Sequence, residues 1–221
     1  MPVDINDILH VLAHELRTPV GIAHGYVRLL LEDRLPREED RRRALEQMQK
    51  ALTRLSDLSH ETTALAVWYE HEAKDSRHGN SVRAIVDGVR TASYECPVIF
   101  DTPDLTDAMM VRTPDPGRLT SALVNVVRAT ARELRGQPCA VSVRVQDHRF
   151  ELLTGQTEQL AGLRAGPGAA DSGPLILERG GIGLSLVHAA VVLDAHGAER
   201  WALKGSRQTA GVRLPLEEQR S

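Results

Sequence analysis

Apolar residues at Ile5, Leu9, Leu12, Leu16, Pro19, Ala23, Tyr26 and Leu30 recur in steps of four and three. No other feature of this 221-residue chain limits its fold so tightly. Such a repeat is the seam of one long helix that needs a partner along its length. The spacing predicts a helix from Asp4 to Asp33, with Asp4 or Asn6 as its cap and Asp7 in the first turn, where the helix dipole favours an acid. Pro19 lies inside it and cannot donate to the Glu15 carbonyl, so a kink and a flex point are expected there. Leu35-Pro36 ends the pattern, and Glu38-Glu39-Asp40 opens a second helix with acids at its positive end. The seam then returns at Leu45, Met48, Leu52, Leu55, Leu58, Thr62, Leu65 and Tyr69. Two antiparallel helices with a short loop form a hairpin. A lone hairpin leaves apolar surface in water, so two chains are expected to pair as a four-helix bundle.

His14 falls two positions after Leu12 and two before Leu16, off the seam, with Glu15 and Thr18 beside it. An exposed imidazole with an adjacent carboxylate on a rigid rod is arranged as a nucleophile. His10 and His14 have a spacing that can bind zinc on a helix. The segment between them lacks the glutamate of the HExxH pattern and no third ligand is evident, so no metal site is expected.

Hydrophobic residues make up 42% of the chain but aromatics only 3%, so the core must be built mainly from Leu, Val, Ile and Ala. A net charge of −3 makes no case for nucleic acid or an anionic membrane, and Arg41-Arg42-Arg43 reads as a solvated face. Cys96 and Cys139 have no CxxC partner and read as free, buried thiols of a reducing cytoplasm. No apolar run approaches the roughly 20 residues that span a bilayer. Met1-Pro2-Val3-Asp4 opens no signal peptide. A cytoplasmic protein informed through a partner is expected.

Residues 71–80 read as a linker. Ser81 is placed to cap a helix carrying Val82, Ile85, Val86 and Val89 on one face. Residues 98–100 and 109–111 read as strands, and Asp115-Pro116-Gly117-Arg118-Leu119 begins another helix. Residues 140–145 and 150–153 form a hairpin turning at 146–149. Residues 161–174 read as a mobile loop. Gly180-Gly181-Ile182-Gly183 leads into a helix ending near His196-Gly197, where glycine suits the position past the last turn. Two strands, 201–203 and 212–216, close the chain.

His14-Glu15-Leu16-Arg17-Thr18-Pro19 resembles the H-box of sensor histidine kinases, whose histidine takes a phosphoryl group and passes it to a response-regulator aspartate. The later part resembles the ATP-binding domain of the same family. Asp115 to Asn125 looks like the start of the N-box helix, and Gly181-Ile182-Gly183-Leu184-Ser185 looks like the G2-box, whose glycines let backbone approach phosphates. The resemblance implies an α+β chain in two parts: residues 1–72 a dimerising phosphoacceptor hairpin, and residues 79–217 an α/β sandwich. It implies that Glu15 orients the imidazole and accepts its proton, that Arg17 neutralises phosphoryl charge, and that Thr18 positions water. Receiver domains of response regulators are the implied partners, docking on the face that His14 shares with Arg17, Gly21, His24 and Arg28.

Two departures stand out. The family's second N-box asparagine, a magnesium ligand, is Ala129 here. The aspartate that binds adenine is replaced in Thr154-Gly155-Gln156-Thr157. A lost hydrogen bond to a charged group costs roughly 1.5–3 kcal/mol, and the ion neutralises the charge that phosphoryl transfer develops. These losses lead to the expectation that ATP and magnesium are not used, with Asn125, Gly181 and Gly183 left as a vestigial nucleotide site. The reading is a histidine phosphotransferase carrying phosphate at His14. The alternatives are a divergent ATP-dependent kinase with Asn125 as substitute magnesium ligand, and a non-catalytic regulator-binding module.

Overall fold

The structure, a computed structural model, describes residues 5–71, 78–93, 98–103, 105, 109–113, 115–177 and 182–216. The expected cap at Asp4, the thiol of Cys96 and the glycines Gly180 and Gly181 lie outside the described residues. The chain divides into two compact units, one helical over residues 4–71 and one α/β.

The helical unit is an antiparallel pair, α1 (Ile5–Leu31) and α2 (Glu38–His71), joined by a short loop. The helix α1 runs through Pro19 without a break and is about 40 Å long at ~1.5 Å per residue. The faces differ from the expected seam. Among the described residues, Ile8, Val11 and Pro19 on α1, and Ala44, Ala51 and Leu58 on α2, are buried, Pro19 and Leu58 being seam positions, while Ile5, Leu9, Leu45 and Leu52 are exposed. The apolar arc on α1 is wider than one seam. Its inner edge packs within the hairpin, and its outer edge, Ile5, Leu9, Val20, Val27 and Leu31, stays in water. These five fall within about 80° of arc at ~100° per residue.

The second unit begins with β1 (His78–Ser81), so part of the expected linker is a strand. Then come α3 (Val82–Ala92), β2 (Val98–Asp101), β3 (Met110–Thr113) and α4 (Pro116–Glu133). The strands β4 (Cys139–Gln146) and β5 (Arg149–Gly155) lead to α5 (Thr157–Leu163), β6 (Ser172–Gly173), α6 (Leu184–Ala195), β7 (Glu199–Leu203) and β8 (Ala210–Pro215). Ser81 occupies the N-cap of α3 but its side chain makes no capping bond. At α4 the cap is made: the Asp115 carboxylate accepts from the Arg118 amide at 3.0 Å, with Pro116 in the first turn.

Six strands form one sheet in the order β2-β4-β5-β8-β7-β6, and β1 pairs with β3 apart from it. Only β2–β4 is parallel in the larger sheet. The β4–β5 turn has Asp147 and His148 at φ 52° and 57°, the two left-handed residues of a two-residue hairpin whose twist matches the strands. β5 is buried from Phe150 to Gly155 without alternation, because the sheet is covered on both sides there. α4 packs on β4, β5 and β8.

On the other face α5 packs: Leu160 and Leu163 meet Ala140, Leu153, Trp201 and Leu203. Trp201 Nε1 donates to the Leu163 carbonyl at 3.1 Å. The segment 161–174, expected as a mobile loop, is therefore largely anchored. Beyond α5, Ser172 Oγ donates to the Gly166 carbonyl at 2.6 Å, and Ser172 and Gly173 pair with Leu203 and Ala202. The signal for this order is remote in sequence: the indole that receives α5 comes from β7. Beyond the reach of α5 the same face carries a charge ladder across four strands, Arg144 to Glu151 (3.5 Å), Glu151 to Arg213 (2.8 Å) and Arg213 to Glu199 (3.1 Å).

Candidate functional site

His14 stands on the outward face of α1 with its side chain 63% exposed. Its Nδ1 lies 4.0 Å from Glu15 Oε1, an ion-pair distance too long for a hydrogen bond. The other oxygen of Glu15 is held: Arg54 Nη2 on α2 donates to Oε2 at 2.8 Å. Arg54 Nη1 lies 3.6 Å from Glu61 Oε1, so one guanidinium bridges two carboxylates. Nothing local marks Arg54 in the sequence, but its distance from the loop places it opposite Glu15. Glu15 lies sixteen residues before Leu31, the end of α1, and Arg54 sixteen after Glu38, the start of α2. In an antiparallel hairpin, equal distances from the loop put two residues at one level.

Arg17, Thr18, Gly21 and His24 are exposed on α1. His14, Gly21 and Arg28 follow at seven-residue steps and share a stripe, with Arg17 and His24 beside it. A Cβ added at Gly21 or Gly25 would meet nothing within 4 Å, so this stretch of the face is open. Arg28 Nε donates to Glu32 at 2.6 Å, an exposed pair of small worth to stability.

In the second unit the two positions that the resemblance matches to the family's asparagine and aspartate are both buried. Ala129 is fully buried and has no ligand oxygen. Thr154 is fully buried, with its hydroxyl 3.0 Å from Cys139 Sγ. The Asn125 amide donates to the Ser185 carbonyl at 3.2 Å and ties α4 to the first turn of α6. Gly183 starts α6 at φ 53° and ψ −129°, a conformation that a side chain would oppose; Gly181 lies outside the described residues. Among the described residues no group of three or more His, Cys, Asp or Glu is placed to hold a metal ion, and no helix is long and apolar enough to cross a membrane.

His188 on α6 is half-buried, and its Nε2 finds no hydrogen-bond partner among the described residues. Burial, and then the nearby Arg118 guanidinium, hold its pKa below 6.5. The folded unit therefore binds fewer protons there than the unfolded chain. Its contribution is unchanged above the unfolded value of 6.5 and is lost as the pH falls from 6.5 through the lowered value. Denaturant midpoints measured between about pH 7.5 and 5.5 should fall with acidity, and His188→Gln should flatten that fall. An identical acid slope in the variant would rule His188 out as the source.

The His Kinase A (phospho-acceptor) domain matches residues 4–66. Among solved structures, the chain is similar to the Acinetobacter baumannii histidine kinase AdeS, at 16% identity and a TM-score of 0.53, over 93% of this chain and 98% of that one. It is similar to the histidine kinase ThkA in complex with the response regulator protein TrrA, at 16% identity and a TM-score of 0.57, over 95% of this chain and 61% of that one. It is also similar to full-length ShkA in complex with AMPPNP, at 16% identity and a TM-score of 0.50, over 99% of this chain and 47% of that one. No curated protein matches the sequence. These likenesses correct the expectation that ATP and magnesium are not used: the fold is that of solved histidine kinases, and ShkA was solved in complex with AMPPNP.

Proposed function

Residues 4–66 are a His Kinase A phospho-acceptor domain in a chain with the sensor histidine kinase fold, and from that premise we propose that this two-component signalling protein carries phosphate at His14, exchanging it with response-regulator aspartates. The observation that carries the reading is the exposed imidazole with a held carboxylate at 4.0 Å from its Nδ1. In the transfer step Nε2 attacks the phosphorus of an aspartyl phosphate. The P–O bond to the regulator breaks, its electron pair returns to the regulator's carboxylate, and Glu15 takes the Nδ1 proton. Arg17, one turn along, offsets phosphoryl charge. The open stretch at Gly21 and Gly25 is the docking ground for the receiver domain, flanked by His24 and Arg28.

The assay follows the label. A receiver domain bearing aspartyl phosphate should lose it to this protein, and the product should be acid-labile, as phosphohistidine is, where aspartyl phosphate is base-labile. The second reading, an ATP-dependent autokinase, is favoured by the likeness to kinases that bind nucleotide. Acid-labile label entering from Mg-ATP, with none from any receiver, would decide for it. Binding of a receiver with no label from either source would leave a regulator-binding module.

The exposed apolar stripe supports a homodimer built on the hairpin. Leu45 and Leu52 are more than half exposed, as are Ile5, Leu9, Val20 and Leu31. Light scattering should give a dimer at micromolar concentration. Leu52→Glu, which puts a charge on that stripe, should give a folded monomer. A wild-type monomer would remove the argument for a bundle.

A further inference from the structure

We propose that Arg54 is a positioning residue for the chemistry at His14, holding the Glu15 carboxylate so that one oxygen stays turned to the imidazole. The inference rests on the phosphoryl-carrier reading. A free glutamate side chain samples several rotamers, and ordering it carries an entropic cost. Here that ordering is done in advance. Arg54 Nη2 takes Oε2 at 2.8 Å, leaving Oε1 on the side of His14 Nδ1, 4.0 Å away. A shift of about 1 Å brings Oε1 into hydrogen-bond range.

Arg54 is itself steadied from the far side by Glu61 at 3.6 Å, through its other terminal nitrogen. The three side chains are 22–32% exposed, enclosed enough for the charges to be felt and open enough to exchange a proton with water. Only a planar guanidinium reaches two carboxylates with separate nitrogens, and the single ammonium of lysine does so less well. As a plain cross-helix ion pair the contact would add little to stability. Its placement on the one carboxylate beside His14 points to the reaction.

The test is a double-mutant cycle on the full-length chain. Single-turnover phosphoryl transfer from a labelled receiver domain is measured for wild type, Arg54→Met, Arg54→Lys, Glu15→Ala and the Arg54→Met/Glu15→Ala pair. Arg54→Met should slow the maximal rate about ten- to a hundredfold, less than or at most equal to the lower end of the roughly 10²–10⁴-fold worth of a positioned proton acceptor, because the carboxylate itself remains. The receiver concentration at half-maximal rate should not change, and Arg54→Lys should recover part of the rate. With Glu15→Ala already in place, Arg54→Met should have no further effect. Equal losses in both backgrounds, or a loss only in receiver affinity, would overturn the proposal.

A second measurement does not depend on transfer. The side-chain ¹⁵N signals of His14 in the unphosphorylated protein should move with Arg54→Met in the same direction as with Glu15→Ala. Unmoved signals would overturn the positioning role even where transfer is seen. Moved signals in a protein that never accepts label would uphold the positioning and refute the carrier reading.

Discussion

Replacing His14 with alanine should remove all phosphoryl acceptance while leaving the helicity and assembly of the hairpin as they were. The side chain is 63% exposed, and its nearest charged neighbour, Glu15, is held by Arg54 with or without it. Surface replacements of this kind change stability by no more than about 0.5 kcal/mol, so lost labelling would reflect lost chemistry. The other histidines supply controls. His196 is buried, with ring nitrogens 2.6 Å from the Val192 carbonyl and 2.7 Å from Thr113 Oγ1, which leaves neither for a phosphoryl group. His60 is exposed and precedes Glu61, so it is the natural competitor. His60→Ala should leave labelling at the wild-type level. Acid-labile label persisting on His14→Ala would end the proposal for this residue.

The largest structural effect is expected at Trp201. Trp201→Ala should destabilise the second unit by about 3–5 kcal/mol, the usual range for emptying a large aromatic site. The indole is 1% exposed and fills the space between the sheet and α5. It crosses over Gly211 in the paired strand, where an added Cβ would collide with the ring. It also lies under Arg213, whose Cζ is 5.3 Å from the ring centroid. Its loss removes the bond to the Leu163 carbonyl as well, so α5 should come free of the sheet. Chemical denaturation measures the first effect, and amide exchange at Leu160 and Leu163 the second. A loss below about 1 kcal/mol would mean that α5 is held by something else.

Where local pattern decides, the sequence was readable. The four-and-three spacing marks α1, Pro36 marks the loop, Asp115-Pro116 marks the start of α4, and Gly197 at φ 68° marks the end of α6. Periodicity could not choose which edge of a wide apolar arc turns inward, so Ile8 and Val11 are buried where Ile5 and Leu9 were expected. It also could not see pairings that the fold makes at a distance. Arg54 meets Glu15 across 39 residues, and Trp201 meets Leu163 across 38. The Cys139–Thr154 contact is of the same kind, since neither residue is unusual until two strands bring them together. His14 and its open face were legible because a side chain in water is located by helical phase alone.

Pro19, Gly21 and Gly25 lie within seven consecutive residues of α1, just past His14. Against alanine, a helix-interior proline costs about 3 kcal/mol and each glycine about 1 kcal/mol. The backbone carbonyl of Glu15 also has no amide to receive from position 19. The rod is therefore two stretches of ordinary helix joined by one that opens at low free energy. Amide protons over residues 20–25 should exchange as an early group, ahead of those around Leu12 and Leu16. A twist applied from the loop end of the hairpin would be absorbed in that span, and the turn bearing the imidazole and its guanidinium-held carboxylate would keep its shape.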